Sequence, residues 1–205
     1  MERNILYPIF LKLHQLPTLI IGAGEVGYEK LSFMLKSSPK AKVTLLAPWI
    51  SPKILDLLQV YPQHQVTIIQ KPFEEQDLEG FLLVVAATNI RDLNKEVHRL
   101  AKAKGKIINV ADTPELCDFY LGSIVTRGNL KVAISTNGKS PTFAKRFRQL
   151  LEKILPEETN DLLTHLKIIR DRLQGDFEEK VKALNEVTKS LVSVKKSNHS
   201  NVSSN

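Results

Sequence analysis

Thr18-Leu-Ile-Ile-Gly22-Ala-Gly24-Glu-Val-Gly27 is the stretch on which the fold turns. Thr18 to Ile21 is a short run fit for a buried strand, a glycine-rich turn follows at once, and Glu25 to Leu35 carries helical spacing through Val26, Leu31, Met34 and Leu35. Working outward, the same alternation repeats. Val43-Thr-Leu-Leu-Ala47 reads as a second strand, and Ser51-Pro52-Lys-Ile-Leu opens a helix with Ser at the cap and Pro at the first helical position. Val66 to Ile69 is a third strand. Phe81-Leu-Leu-Val-Val-Ala-Ala87 is a fourth, apolar on consecutive positions as a strand covered on both faces should be. Asp92 to Ala103 is helical in pattern, and Lys106 to Val110 is a fifth strand. Such alternation implies a parallel sheet with right-handed crossovers, an α/β doubly wound fold.

After Asp112 the rhythm changes. Gly122 to Ser135 reads as two strands around Arg127-Gly-Asn129, a hairpin turn. A helix then starts with Ser140 as cap and Pro141 at its first position and runs to about Ile154, with Phe143 and Phe147 spaced as a core-facing stripe. Two further helical stretches cover 160–173 and 177–191, separated by Gln174-Gly175. Residues 195–205 are polar and low in complexity, and read as a disordered tail.

Composition bounds the rest. With 42% hydrophobic and 25% charged residues, the 205-residue chain is ordinary for a globular protein. No uncharged apolar run approaches the roughly 20 residues of a membrane span, and the N-terminus lacks the pattern of a secretory signal, so the expected address is the cytoplasm. One cysteine, Cys117, excludes an internal disulfide framework or a multi-cysteine metal site within one chain. His14, His64, His98, His165 and His199 are too scattered for a histidine metal cage, so no metal site is expected. The formal net charge is +7. From Phe119 to Leu151 there is no acidic residue, while Arg127, Lys131, Lys139, Lys145, Arg146 and Arg148 are all cationic. That block reads either as an anion-facing surface or as a solvated basic face.

Gly22-Ala23-Gly24-Glu25-Val26-Gly27 is a G-x-G-x-x-G between a strand and a helix, the setting of a dinucleotide-binding turn. Gly22 serves the tight turn, Gly24 the close approach of a pyrophosphate, and Gly27 the packing of helix on strand, while amides near Glu25 and Val26 bind phosphate. The acidic residue that should hold a ribose at the end of the second strand is missing. Ala47-Pro48-Trp49 stands there, leaving main chain to do so, and no arginine argues for a 2′-phosphate. Ala87, Thr88 and Asn89 after the fourth strand, with Asn94 on the next helix, are either further cofactor contacts or helix-capping chemistry. Asp112, after the fifth strand, is either a turn residue or a carboxylate at the ligand edge of the sheet.

In order along the chain, Tyr7-Pro-Ile-Phe-Leu11, Gly22-Ala-Gly-Glu-Val-Gly27, Ala86-Ala-Thr-Asn89 with Asn94, Asn109-Val-Ala-Asp112, Pro114-Glu-Leu-Cys-Asp-Phe119 and Ile134-Ser-Thr-Asn-Gly-Lys-Ser-Pro141 resemble the precorrin-2 dehydrogenase / sirohydrochlorin ferrochelatase family of sirohaem biosynthesis. The resemblance implies NAD-dependent oxidation of precorrin-2 to sirohydrochlorin, followed in some members by insertion of ferrous iron. It implies a Rossmann-type domain over 1–112, a small dimerisation region over 113–148, a helical module over 149–194, and a homodimer. Asp112 matches the family's catalytic aspartate, and Thr136 aligns with a serine near the tetrapyrrole site of some relatives. Asn137 stands where a glycine is frequent. A polycarboxylate substrate fits the basic block, with Lys139, Ser140 and Arg146 as its candidate contacts beside Thr136. Two other classes stay open on residues alone. One is a nucleotide-sensing Rossmann module without catalysis. The other is nucleic-acid binding through 119–151, against which the Phe143–Phe147 stripe argues.

Overall fold

The computed structural model describes residues 4–60 and 62–189. The expected tail at 195–205 and the end of the last helix lie outside the described residues. Five strands, β1 (Thr18–Ile21), β2 (Lys42–Leu46), β3 (Gln65–Ile69), β4 (Leu83–Ala86) and β5 (Ile107–Val110), form a parallel sheet in the order β3-β2-β1-β4-β5. Helices α1 (Glu25–Ser37), α2 (Pro52–Val60) and α3 (Arg91–Ala103) make crossovers. The expected α/β doubly wound sheet is therefore the fold.

Alternation along each strand sorts the core into two layers. Ile20, Val43, Leu45 and Val85 face α1 and α2, packing with Leu31, Met34, Leu35, Ile54 and Leu57. Leu19, Ile21, Leu46, Val84, Ala86, Ile108 and Val110 face the other way, with Val97, Leu100 and Ala101 of α3. Central strands β1 and β4 are buried at every position, which is why both read as unbroken apolar runs. The run at Phe81-Leu82 outlasts its strand. Pairing with β5 starts at Leu83, and Leu82 is 40% exposed.

Beyond the sheet, β6 (Ser123–Arg127) and β7 (Leu130–Ile134) form the expected hairpin, turning at Gly128 with φ +56°. Helices α4 (Pro141–Ile154), α5 (Thr159–Arg172) and α6 (Phe177–Thr188) follow. Ser140 caps α4 as expected, its Oγ accepting the Phe143 N–H at 3.2 Å. The core-facing stripe expected of Phe143 and Phe147 is not one. Phe143 is 58% and Phe147 38% exposed, their rings stacked 5.8 Å apart, while the buried residue of α4 is Ala144. Spacing of i, i+4 puts two side chains on one face but does not say which face the core covers.

Internal contacts divide the chain into two compact units. Of the described residues, one holds those up to Val125 and Val132–Leu150; the other holds Thr126–Lys131 and 151–189. Within the second, the Arg127 guanidinium donates to the Glu152 and Leu155 carbonyls at the end of α4, at 2.5 and 3.4 Å. Asn160 Oδ1 accepts both the Asn129 N–H and its Nδ2 at 3.1 and 3.0 Å, clipping the hairpin tip to α5. Among the described residues no helix is long and apolar enough to cross a membrane.

The two-layer core predicts a large penalty at its centre. Ile20→Ala, at a fully buried position, lowers stability by about 2–5 kcal/mol, read as a shifted midpoint in urea unfolding.

Candidate functional site

The register of a parallel sheet brings the strand ends to one edge. Ile21 lies opposite Leu46 and Ala86, and Ala86 opposite Val110, so the segments starting at Gly22, Ala47, Ala87 and Ala111 emerge side by side. Strand order reverses between β1 and β4, the place where open α/β sheets bind ligands.

Gly22 takes φ +106°, and a Cβ there would stand 2.5 Å from the Ala87 carbonyl oxygen. Gly27 is equally constrained, because a Cβ would collide with the Gly22 carbonyl. Gly24 differs: an added Cβ meets nothing within 4 Å. It caps α1, whose first intrahelical bond runs from Tyr28 N–H to Gly24 O at 2.9 Å. The amides of Glu25, Val26 and Gly27 therefore have no acceptor within the helix and lie at its electropositive end. Open space at Gly24 next to amides that no helical carbonyl accepts is what a pyrophosphate requires, so the residues present fit a dinucleotide. The Glu25 carboxylate at the same helix end is held by Lys53 Nζ, 2.8 Å from each oxygen, and that hydrogen bond raises the Lys53 pKa above its ordinary value.

At the end of β2, Ala47 is buried and Trp49 is 60% exposed. Pro48 O accepts from Gln70 Nε2 at 3.2 Å, and Ser51 N–H donates to Ala23 O at 3.0 Å, tying this loop to the glycine turn. After β4, Thr88 and Asn94 are bonded to each other. Thr88 Oγ1 lies 2.7 Å from Asn94 Oδ1, and Asn94 Nδ2 donates to Thr88 O at 2.9 Å. Asn94 is buried, so its carboxamide faces Thr88, whereas Asn89 is exposed.

Asp112 is exposed just beyond β5, in the left-handed region with φ +56°. Among the described residues its carboxylate makes no hydrogen bond or ion pair. The other predicted residues gather at the turn between β7 and α4. Ser140 N–H donates to Thr136 Oγ1 at 3.2 Å, Lys139 N–H to Thr136 O at 3.0 Å, and Arg146 reaches Gln149 one turn along α4. Asn137, in the same turn, takes φ +53°, a left-handed conformation that favours glycine and that asparagine also enters. Among the described residues no group of three or more His, Cys, Asp and Glu side chains could hold a metal ion.

Sequence reasoning assigned no role to Lys53 or to Asn109, Cys117 and Asp118, which bind the loop carrying Asp112 to β5. One signal was available: Asn109 is the polar residue in the otherwise apolar Ile107-Ile-Asn-Val110. Burial would push the Asp118 carboxyl up, but the Lys102 ammonium and the Ile108 N–H outweigh it and hold the group below its ordinary value. Burial pushes the Cys117 thiol up.

Comparison with known proteins places the chain among NAD(P)-binding and sirohaem-biosynthesis proteins. Residues 9–123 match the family described as putative NAD(P)-binding, and residues 127–154 that described as sirohaem biosynthesis protein central. A "Siroheme synthase" of Pseudoalteromonas translucida (strain TAC 125) is 37% identical over 175 residues, 85% of this chain and 34% of its own. Another, of Methylococcus capsulatus (strain ATCC 33009 / NCIMB 11132 / Bath), is 38% identical over 172 residues, covering 84% of this chain and 35% of its own. The chain thus spans about a third of the length of the curated relatives it matches. Among solved structures, "SirC, precorrin-2 dehydrogenase" superposes with a TM-score of 0.71 at 25% identity over 89% of each chain.

The glycines separate binding from folding. Gly24→Val leaves the unfolding midpoint within a few degrees of wild type yet weakens dinucleotide binding by about tenfold or more, whereas Gly27→Val costs more than about 2 kcal/mol of stability. Calorimetry and dinucleotide titration of both variants check the pair.

Proposed function

Since the chain belongs to the precorrin-2 dehydrogenase and sirohaem synthase family of NAD(P)-binding proteins, we propose that it oxidises precorrin-2 to sirohydrochlorin with NAD. The observation that carries this reading is the unbonded Asp112 carboxylate on the same sheet edge as the open Gly24 turn.

Oxidation removes one hydride and one proton from the ring system of precorrin-2. NAD, when bound, supplies the hydride acceptor. The chain's own residues do the rest. Gly22, Ala23, Gly24, Glu25, Val26 and Gly27 hold the pyrophosphate on main-chain amides, with Lys53 offsetting the Glu25 charge beside it. Main chain at Ala47, Pro48 and Trp49 takes the adenosine ribose. Ala87, Thr88 and Asn89 line the approach to the reacting ring, and Asn94 holds Thr88. Asp112 takes the proton, for which a carboxylate with no competing partner is suited. Thr136, Lys139, Ser140 and Arg146 bind substrate carboxylates at the α4 helix start.

The chain works as a homodimer in this reading, through 113–148, with 149–194 as a helical module. Exposed Tyr7, Phe10, Phe143 and Phe147 support a second copy. Sedimentation giving only monomer at micromolar concentration would remove that part.

Anaerobic absorbance tests the activity. Wild type with precorrin-2 and NAD yields NADH together with the sirohydrochlorin spectrum. Asp112→Asn lowers turnover by about 10²–10⁴-fold with dinucleotide affinity unchanged. Ferrous iron added to the product then shows whether the same carboxylate also removes pyrrole N–H protons during metal insertion. Absence of reduced cofactor with NAD and with NADP would leave the turn as a sensor.

A further inference from the structure

From Ala111 the chain leaves β5, turns through Asp112, and returns alongside the strand it left. The returning segment 117–119 is fastened to β5 at three consecutive residues. Asn109 Nδ2 donates to Phe119 O at 2.8 Å and stands 3.4 Å from Cys117 Sγ. Cys117 Sγ accepts the Val110 N–H at 3.2 Å and is within 3.2 Å of Val110 O and 3.4 Å of Thr113 O, either of which its S–H can reach. Asp118 N–H donates to Ile108 O at 2.8 Å, while its carboxylate accepts the Ile108 N–H at 3.0 Å and Lys102 Nζ at 2.6 Å.

Between these fastenings the turn is closed on itself. Ala111 N–H is bonded to Ala86 O, Thr113 N–H to Val110 O, Leu116 N–H to Thr113 O and Cys117 N–H to Pro114 O, at 2.9–3.3 Å. Asp112 sits at the tip in the left-handed region, a conformation a non-glycine residue leaves unless its surroundings over-determine it. Asn109 is buried in a strand whose other members are apolar, where an isoleucine or valine would pack at no polar cost. The hydrogen bonds of its Nδ2 reach Phe119 and Cys117 on the returning segment. Its presence is explained by the loop rather than by the sheet.

We propose that Asn109, Cys117 and Asp118 form a clasp that positions Asp112, holding its backbone left-handed and its carboxylate clear of intramolecular partners. These are positioning residues, acting on the proton-transfer step through Asp112, and the inference rests on the reading of Asp112 as proton acceptor. A loosened clasp misplaces the carboxylate without touching the glycine turn or the α4 helix start. Its signature is therefore a fall in kcat with substrate KM and dinucleotide Kd unchanged.

The test uses the full chain with Asn109→Ala, Cys117→Ala and Cys117→Ser. Each variant is followed by precorrin-2 turnover, by dinucleotide titration of Trp49 fluorescence, and by hydrogen exchange over 111–119. The clasp predicts that Asn109→Ala and Cys117→Ala lower kcat by about 10- to 100-fold, with KM and Kd within about twofold. Faster exchange is confined to 111–119. Cys117→Ser, which keeps a donor and an acceptor at that point, restores most of the rate. Should Asn109→Ala fail to fold, the two Cys117 variants decide. Exchange that quickens at 111–119 with kcat intact overturns the proposal, as does a serine variant no better than the alanine one. Wild type that oxidises no precorrin-2 overturns the underlying reading instead, and is seen before any variant is made.

Discussion

Everything at the functional edge depends on how closely bare backbone approaches bare backbone at Gly22. No side chain separates the β1–α1 turn from the end of β4, because a Cβ on Gly22 would stand 2.5 Å from the Ala87 carbonyl. The same economy recurs at Gly27, which lets α1 start directly against the Gly22 carbonyl. Together these contacts set the helix so that its unpaired amides open beside the carboxyl ends of β1 and β4. The Ser51 N–H to Ala23 O bond then draws the loop after β2 against the same turn. Segments from three strands become one surface through main-chain geometry, with Gly22 and Gly27 the positions where a Cβ has no room.

Charge is arranged over that surface with unequal partnering. A glutamate at a helix start is favourable in itself but would oppose an incoming phosphate, and Lys53 offsets it there. Asp112, by contrast, is left without a partner among the described residues. The two carboxylates thus differ in partnering: Glu25 is bonded to an ammonium, and Asp112 has no bonded partner among the described residues. The basic block is likewise not uniform. Arg127 spends its guanidinium on carbonyls at the end of α4, whereas the Arg146 side chain bonds Gln149 on its own helix.

The centre of the sheet was legible because β1 and β4 are covered on both faces. Four-residue runs such as Thr18–Ile21 and Leu83–Ala86 carry no period-2 pattern, yet the glycine turn and helical spacing around them left one arrangement. Local chemistry was legible too, as the Ser140 cap shows. What escaped was whatever depends on a second element. Phe143 and Phe147 share a face, but only the fold shows that the core is filled at Ala144 instead. Phe81 and Leu82 extend the apolar run ahead of β4, which starts at Leu83. Asn109 is polar in an otherwise apolar strand, and its partners appear only when residues 117–119 come back alongside β5, eight to ten positions later.

The two non-glycine residues with positive φ among those described are Asp112 and Asn137, one in each candidate site. Aspartate and asparagine are the side chains that enter the left-handed region at least cost, because a short polar group can bond locally with its own backbone. At Asp112 that local bond is not made, and the neighbouring turn and the returning segment carry the strain in its place. A residue chosen only to make the turn would be glycine, and one chosen only for its carboxylate would serve as well on regular backbone. The combination is therefore what marks the position. Asp112 thus combines a strained backbone with a side chain that the turn does not use, on the same carboxyl edge of the sheet as the Gly24 turn.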